Sequence, residues 1–263
     1  MAFYDSHLHI GNLKICSHIL KNSTYKHKYK LYSSIDERIL GKQEEYIKKL
    51  DGFFAIPLFF KESDIKNCND YLIKYCLNCE KAIPVLLIDS NENFKIEDCR
   101  TPIFKEHFLL HNSNEYQSRS LYYDYLHNNN GYLLLHCKDS IRKEYVRNLL
   151  SNHYKMNIII AHLGRDTFES ESFIHDIVSS FVNNNNVLFD ISTIHNIENV
   201  KMAIEKIGSE RLLYGTDFPF EYNDLNDIED QRKSLISHLP FSDVENIFEK
   251  NFERIRKRIN GPK

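Results

Sequence analysis

The sequence predicts a single α/β domain over residues 1–263, a (β/α)8 TIM barrel, and three observations carry that expectation. The 263 residues are 42% hydrophobic, and a chain of that size can bury roughly three quarters of its unfolded surface in one core. Eight short apolar runs rich in β-branched and aromatic residues recur along it, as buried parallel strands do. Segments with helical periodicity lie between them, and eight such units are what close a barrel.

The runs are residues 3–10, 52–60, 82–89, 101–108, 131–137, 156–163, 187–192 and 211–218. Helical spacing fills residues 35–50, 70–80, 140–153, 168–181 and 197–207. A capping box, Ser34 with Glu37, opens the first of these, and a second, Ser242 with Glu245, opens a closing helix to Ile259. The asparagine tracts 128–130 and 183–186 precede strands, where residues that tolerate left-handed backbone suit a helix-to-strand turn. Residues 21–32, rich in Lys and Tyr, form the longest irregular stretch near the end of the first strand and are expected to make a lid.

Charge and cysteine content exclude several classes. With 34 basic and 37 acidic residues the formal charge is −3, so no global basic field awaits a nucleic acid or an anionic membrane, and a small molecule is the expected partner. Residues 1–10 carry two His and an Asp where a signal peptide needs basic and apolar stretches, and no apolar run approaches the roughly 18 residues of a spanning helix. A cytoplasmic protein is expected. Cys16, Cys68, Cys76, Cys79, Cys99 and Cys137 are scattered, as reduced thiols are; Cys76 and Cys79 form a C-x-x-C without a second pair and read as helix residues.

The C-terminal ends of barrel strands make the active face. His7 and His9 end the first run, Lys105 and His107 the fourth, His136 the fifth, His162 the sixth and Asp217 the eighth. Residues two apart share a face of a strand, which pairs His7 with His9 and Lys105 with His107 and turns Glu106 the other way. One histidine at a strand end is ordinarily structural, but polar residues closing five apolar strands are not a chance pattern. Imidazoles plus a carboxylate suit a divalent cation, which acidifies water, and Asp217 would take up that water's proton.

Taken together, Asp5-Ser6-His7-Leu8-His9, Phe104-Lys105-Glu106-His107, Leu135-His136, Ile160-Ala161-His162-Leu163-Gly164 and Leu213-Tyr214-Gly215-Thr216-Asp217-Phe218-Pro219 resemble the amidohydrolase superfamily, especially its amidohydrolase-related branch. The resemblance implies a metal-dependent hydrolase with His7, His9, His136 and Asp217 as ligands, Asp217 also the proton shuttle, and His162 either a ligand of a second metal or a substrate-polarising histidine. Zinc is the first candidate ion and manganese the second. Lys105 decides between one ion and two: carboxylated it would bridge a pair, unmodified it would bind a substrate carboxylate. Glu106 would be a ligand only in a TatD-like phosphoesterase.

Around this set, Arg165 is either a clamp for a substrate anion or a solvated loop arginine, and His107 joins it as a substrate-binding candidate ahead of His111. Asp190 would orient a ligand histidine, and His195 belongs to a surface loop. Hydrolysis of an amide, cyclic amide, lactone or ester is the leading expectation. Non-oxidative decarboxylation, TatD-like phosphoester cleavage and a catalytically silent barrel are the alternatives. The short chain implies brief loops and leaves open a site completed by a second copy in a homodimer.

Overall fold

The computed structural model describes residues 1–11, 38–59, 63–88, 102–107, 116–136, 139–165, 173–220 and 224–261. The expected lid at 21–32, the capping box at 34–37 and His111 lie outside these residues.

Parallel strands follow one another in chain order: β1 (Tyr4–Ile10), β2 (Gly52–Pro57), β3 (Ala82–Pro84), β4 (Leu86–Leu87), β5 (Ile103–His107), β6 (Tyr132–His136), β7 (Asn157–Ile160), β8 (Val187–Asp190) and β9 (Leu212–Leu213). They pair as β1-β2-β3 and as β4 through β9. The run 82–89, expected as one strand, is therefore split: β3 pairs with β2 and β4 with β5. Val85 lies at the change of partner, and its N–H still reaches Ala55 O at 2.8 Å. Counted as one position, β3 and β4 leave eight around the barrel. The ring closes where Ser6 N–H donates to Tyr214 O (2.8 Å), His9 N–H to Phe218 O (3.0 Å) and Asp217 N–H to His7 O (2.7 Å).

Alternation along the strands sorts side chains into two layers. Tyr4, Phe54, Ile83, Ile103, Tyr132, Leu134, Ile159, Leu188 and Leu213 fill the inside, with Phe252 and Ile255 packed against them from α9 (Asn251–Asn260). Leu8, Phe53, Phe104, Leu133, Leu135, Ile158 and Phe189 face outward in the larger core shared with the helices. The inward parity of Ile103 continues to Lys105 and His107, that of Leu134 to His136, and that of Leu188 to Asp190. An irregularity in the pairing of β1 between Asp5 and Leu8 re-aims that strand, so that His7 and His9 face inward above Tyr4.

The helices include α1 (Glu44–Lys49), α2 (Ile65–Leu77), α3 (Tyr116–Asn128), α4 (Asp139–Asn152), α5 (Ile174–Ser180), α6 (Ile197–Ile207), α7 (Leu225–His238) and α8 (Phe241–Glu245). Asn196 caps α6 by accepting from Glu198 N–H, and Asn130 takes the left-handed backbone its tract allowed, with φ 49°. The Ser242 capping box does not form. Pro240 occupies the cap position of α8 without a side-chain bond, and the chain continues through a π-helical stretch, Asn246–Lys250, into α9. Cys76 lies in α2 and Cys79 just beyond it, both as free thiols. No helix among the described residues is long and apolar enough to cross a membrane.

Candidate metal centre

β1 carries His7 and His9 side by side. His7 Nδ1 lies 2.9 Å from Asp190 Oδ2, at the end of β8, and His9 Nδ1 lies 3.0 Å from Pro57 O, at the end of β2. A carboxylate and a carbonyl only accept, so both rings carry their proton on Nδ1 and leave Nε2 bare. Burial lowers the pKa of each ring, which keeps both neutral.

The two bare nitrogens converge on one oxygen. His7 Nε2 is 3.2 Å and His9 Nε2 3.1 Å from Asp217 Oδ1. Three acceptors need a positive charge among them, which the Lys105 ammonium supplies in this structure and a divalent ion would supply in its place. His7, His9 and Asp217 present donor atoms all within 4.8 Å of one another, and all three residues are buried. Two neutral imidazoles and a carboxylate are a donor set that zinc or manganese accepts, so the residues fit a divalent ion.

Lys105, on β5, reaches the same point. Its Nζ lies 2.6 Å from His7 Nε2 and 3.4 Å from His9 Nε2, and burial pulls its pKa down to about 8. The pKa of Asp217 is shifted down: burial alone would raise it, and attraction to His7, His162 and His9 as they take up a proton outweighs that.

His162 and Asp217, expected on strands, lie beyond them. β7 stops at Ile160, and His162 sits in a tight turn (Ala161–Gly164) with φ 55°. β9 stops at Leu213, and Asp217 follows with φ 60°. Both side chains still enter the site, with His162 Nε2 4.0 Å from Asp217 Oδ2. His136 ends β6 as expected and its ring is 4.8 Å from that of His162, but it stays outside the group formed by His7, His9 and Asp217. Its Nε2 is buried without a hydrogen-bond partner among the described residues. His107 stacks on it at 4.1 Å.

Arg165 is buried, which removes the solvated-loop reading, and its Nη2 donates to Thr193 Oγ1 at 2.5 Å. His195 is exposed, as its loop position implied. Glu106 faces outward, as parity required: it pairs with Arg119 of α3 and accepts from Tyr123 and Tyr145 hydroxyls, both at 2.9 Å. The carboxylate therefore stands among the helices, on the side of the sheet away from the site.

Several residues of the site were not singled out in the sequence. Asp5 accepts from His7 N–H (2.9 Å), Thr216 Oγ1 (2.7 Å) and Tyr46 Oη (2.9 Å), fastening β1 to the segment that carries Asp217. The signal was available, since Asp5 is the one acidic residue of the run 3–10 and stands two residues before His7. Phe59 and Phe220 flank His9, with ring centroids 6.3 and 4.9 Å away.

No family model and no curated protein sequence matches the chain. Solved structures do. 2,6-Dihydroxybenzoate decarboxylase from Rhizobium superposes with a TM-score of 0.69 at 14% identity, over 98% of this chain and 99% of that one. A dihydroxybenzoic acid decarboxylase from Polaromonas, holding manganese and the inhibitor 2-nitroresorcinol, gives 0.66 at 12% identity over 97% of each chain. An amidohydrolase from Burkholderia multivorans with bound zinc gives 0.65 at 11% identity, over 97% of this chain and 99% of that one. The chain thus shares the TIM-barrel fold of these structures along nearly its whole length.

Proposed function

We propose that the chain is a metal-dependent enzyme of the amidohydrolase superfamily acting on a small molecule. One observation carries this reading: the bare Nε2 atoms of His7 and His9 meet Asp217 Oδ1 at 3.2 and 3.1 Å, at the C-terminal mouth of the barrel. His7, His9 and Asp217 would hold the ion, with the ring of His136 beside the site, 4.8 Å from that of His162. Bound there, a divalent ion would supply Lewis acidity toward substrate and water.

The leading reaction is hydrolysis of a C–N or C–O bond. Asp217, an anion with its second oxygen 4.0 Å from His162 Nε2, would accept the proton of the attacking water and hand it to the leaving group. Lys105 and Arg165 would attract an anionic group of the substrate, and the rings of His107 and Phe59, set nearly perpendicular, would border it. Non-oxidative decarboxylation is the second reading, supported by the likeness to the two benzoate decarboxylases over nearly the full length of each chain. In that reaction Asp217, having first taken a proton from water or from a hydroxyl of the substrate, would pass it to the carbon whose bond to the carboxylate breaks to release CO₂.

Purified protein should contain zinc or manganese at one or two ions per chain, and His9→Asn should lose most of it. Esters, lactones and cyclic amides on one side, and hydroxybenzoic acids assayed for CO₂ release on the other, separate the two reactions. Absence of bound metal, with no uptake on adding either ion, would refute both.

A further inference from the structure

Asp190 serves two histidines at once. Its Oδ2 takes the Nδ1 proton of His7, while its Oδ1 accepts the backbone N–H of His162 at 3.0 Å, the N–H of Ser192 at 3.1 Å and the hydroxyl of Ser192. That hydroxyl has one proton, and the carboxylate, which already accepts from the Nδ1–H of His7 and two backbone N–H groups, has none to give back. The Ser192 proton is therefore committed to Asp190, and only oxygen lone pairs remain to face His162.

His162 Nδ1 lies 2.8 Å from Ser192 Oγ and 3.3 Å from the Ser192 carbonyl oxygen. Both are acceptors in this arrangement and neither is farther than the Thr193 hydroxyl, with Ser192 Oγ much the nearest, so the ring brings the proton. Thr193 Oγ1, which accepts from Arg165, stands 3.3 Å from the same nitrogen.

We propose that Asp190 and Ser192 form a positioning relay that fixes the proton of His162 on Nδ1, so that its Nε2 enters the site as a lone pair. A neutral His162 then cannot polarise a substrate carbonyl by donating a hydrogen bond. It acts instead as a proton acceptor or as a further ligand, and the roles open to it from sequence narrow accordingly. The inference rests on the proposed metal-dependent reaction only in taking the space before Asp217 as the working site.

The test reads the ring directly. Nitrogen-15 spectra of histidine-labelled, metal-free protein at pH 7.5 should show His7, His9 and His162 all with protonated Nδ1 and bare Nε2. Ser192→Ala should move His162 alone toward the other tautomer, and Ser192→Thr should restore it. Asp190→Asn should disturb both His7 and His162, while His9, held by Pro57 O, stays unchanged. Should Asp190→Asn fail to fold, the Ser192 pair still decides. A protonated Nε2 on His162 in the wild type, or no response to Ser192→Ala, would overturn the relay. Zinc titration separates the two readings: the relay stands if the tautomers hold in a protein that takes up no metal, and the metal centre stands if zinc binds while His162 shows the opposite tautomer. Where both hold, Asp190→Asn should weaken zinc binding by about 10–100-fold.

Discussion

Gly215 sets how closely the two sides of the site approach. A methyl group at its Cα would lie 2.8 Å from His7 Cβ and 3.2 Å from Ser6 Oγ, so β1 and the segment before Asp217 meet there only because the side chain is missing. Gly215→Ala should cost about 1–3 kcal/mol in urea unfolding and also weaken zinc uptake, because His7 moves with the strand. Loss of stability with zinc affinity unchanged would show that the approach does not set ligand placement. His162 offers a second measurement at this scale. Burial lowers its pKa from 6.5 to about 4, so the unfolded chain binds a proton there that the folded chain refuses. Its contribution is whole above pH 6.5 and is lost as the pH falls toward 4, up to about 3 kcal/mol. Asp5, raised by burial to about 6, works the opposite way over much of that window, so total stability would mask the effect. The comparison of metal-free wild type with His162→Gln isolates it: the difference between them should shift against the wild type by that amount between pH 6.5 and 4, and a constant difference would contradict it.

Among the elements, β5 shows what strand periodicity delivers. Lys105 and His107 face the site and Glu106 faces α3 and α4, as alternation requires, and each apolar strand that ends in a polar residue does so because the barrel interior opens at its mouth. Glu106→Gln would leave the buried guanidinium of Arg119 without its carboxylate and should cost about 3–5 kcal/mol, while the refolded protein keeps its full metal content. Loss of metal from a folded Glu106→Gln protein would return the carboxylate to the ligand set and revive the TatD-like reading. What alternation does not give is where a strand stops. His162, Leu163, Thr193 and Asp217 adopt φ of 55°, 50°, 60° and 60°, a conformation that costs non-glycine residues roughly 1–3 kcal/mol each and has no signature in their identities. Partners distant in sequence hold them there, such as Asp190 for His162 N–H and Asp5 for Thr216 N–H (3.1 Å). The sequence runs 156–163 and 211–218 therefore read as longer strands than β7 and β9, although the residues that matter in them were legible as the polar ends of apolar runs.

For the whole molecule, the weak place in the ring is the seam between β1 and the segment after β9. Along it strand pairing is reduced to a single parallel bridge, Leu8 with Phe218, supplemented by the hydrogen bonds of Ser6, His9 and Asp217 across the gap. Between β5 and β8, by contrast, every strand carries a continuous parallel ladder. The proposed ligands lie on both sides of the seam, His7 and His9 on β1 and Asp217 beyond β9, so a bound ion would join the first strand to the last. Binding stabilises the closed form by about 2.7 kcal/mol at a hundredfold excess over Kd, and any local opening that separates the ligands must overcome that amount. In metal-free protein the amides of Ser6, His9 and Asp217 should exchange faster with deuterium than those of Leu134 and Ile159 in the ladders. Adding zinc should close most of that gap, since the seam can then open only with loss of the ion. A gap that persists in the zinc-loaded protein would mean that the ion, if bound, is not held from both sides, and would move the ligand set onto one edge of the ring.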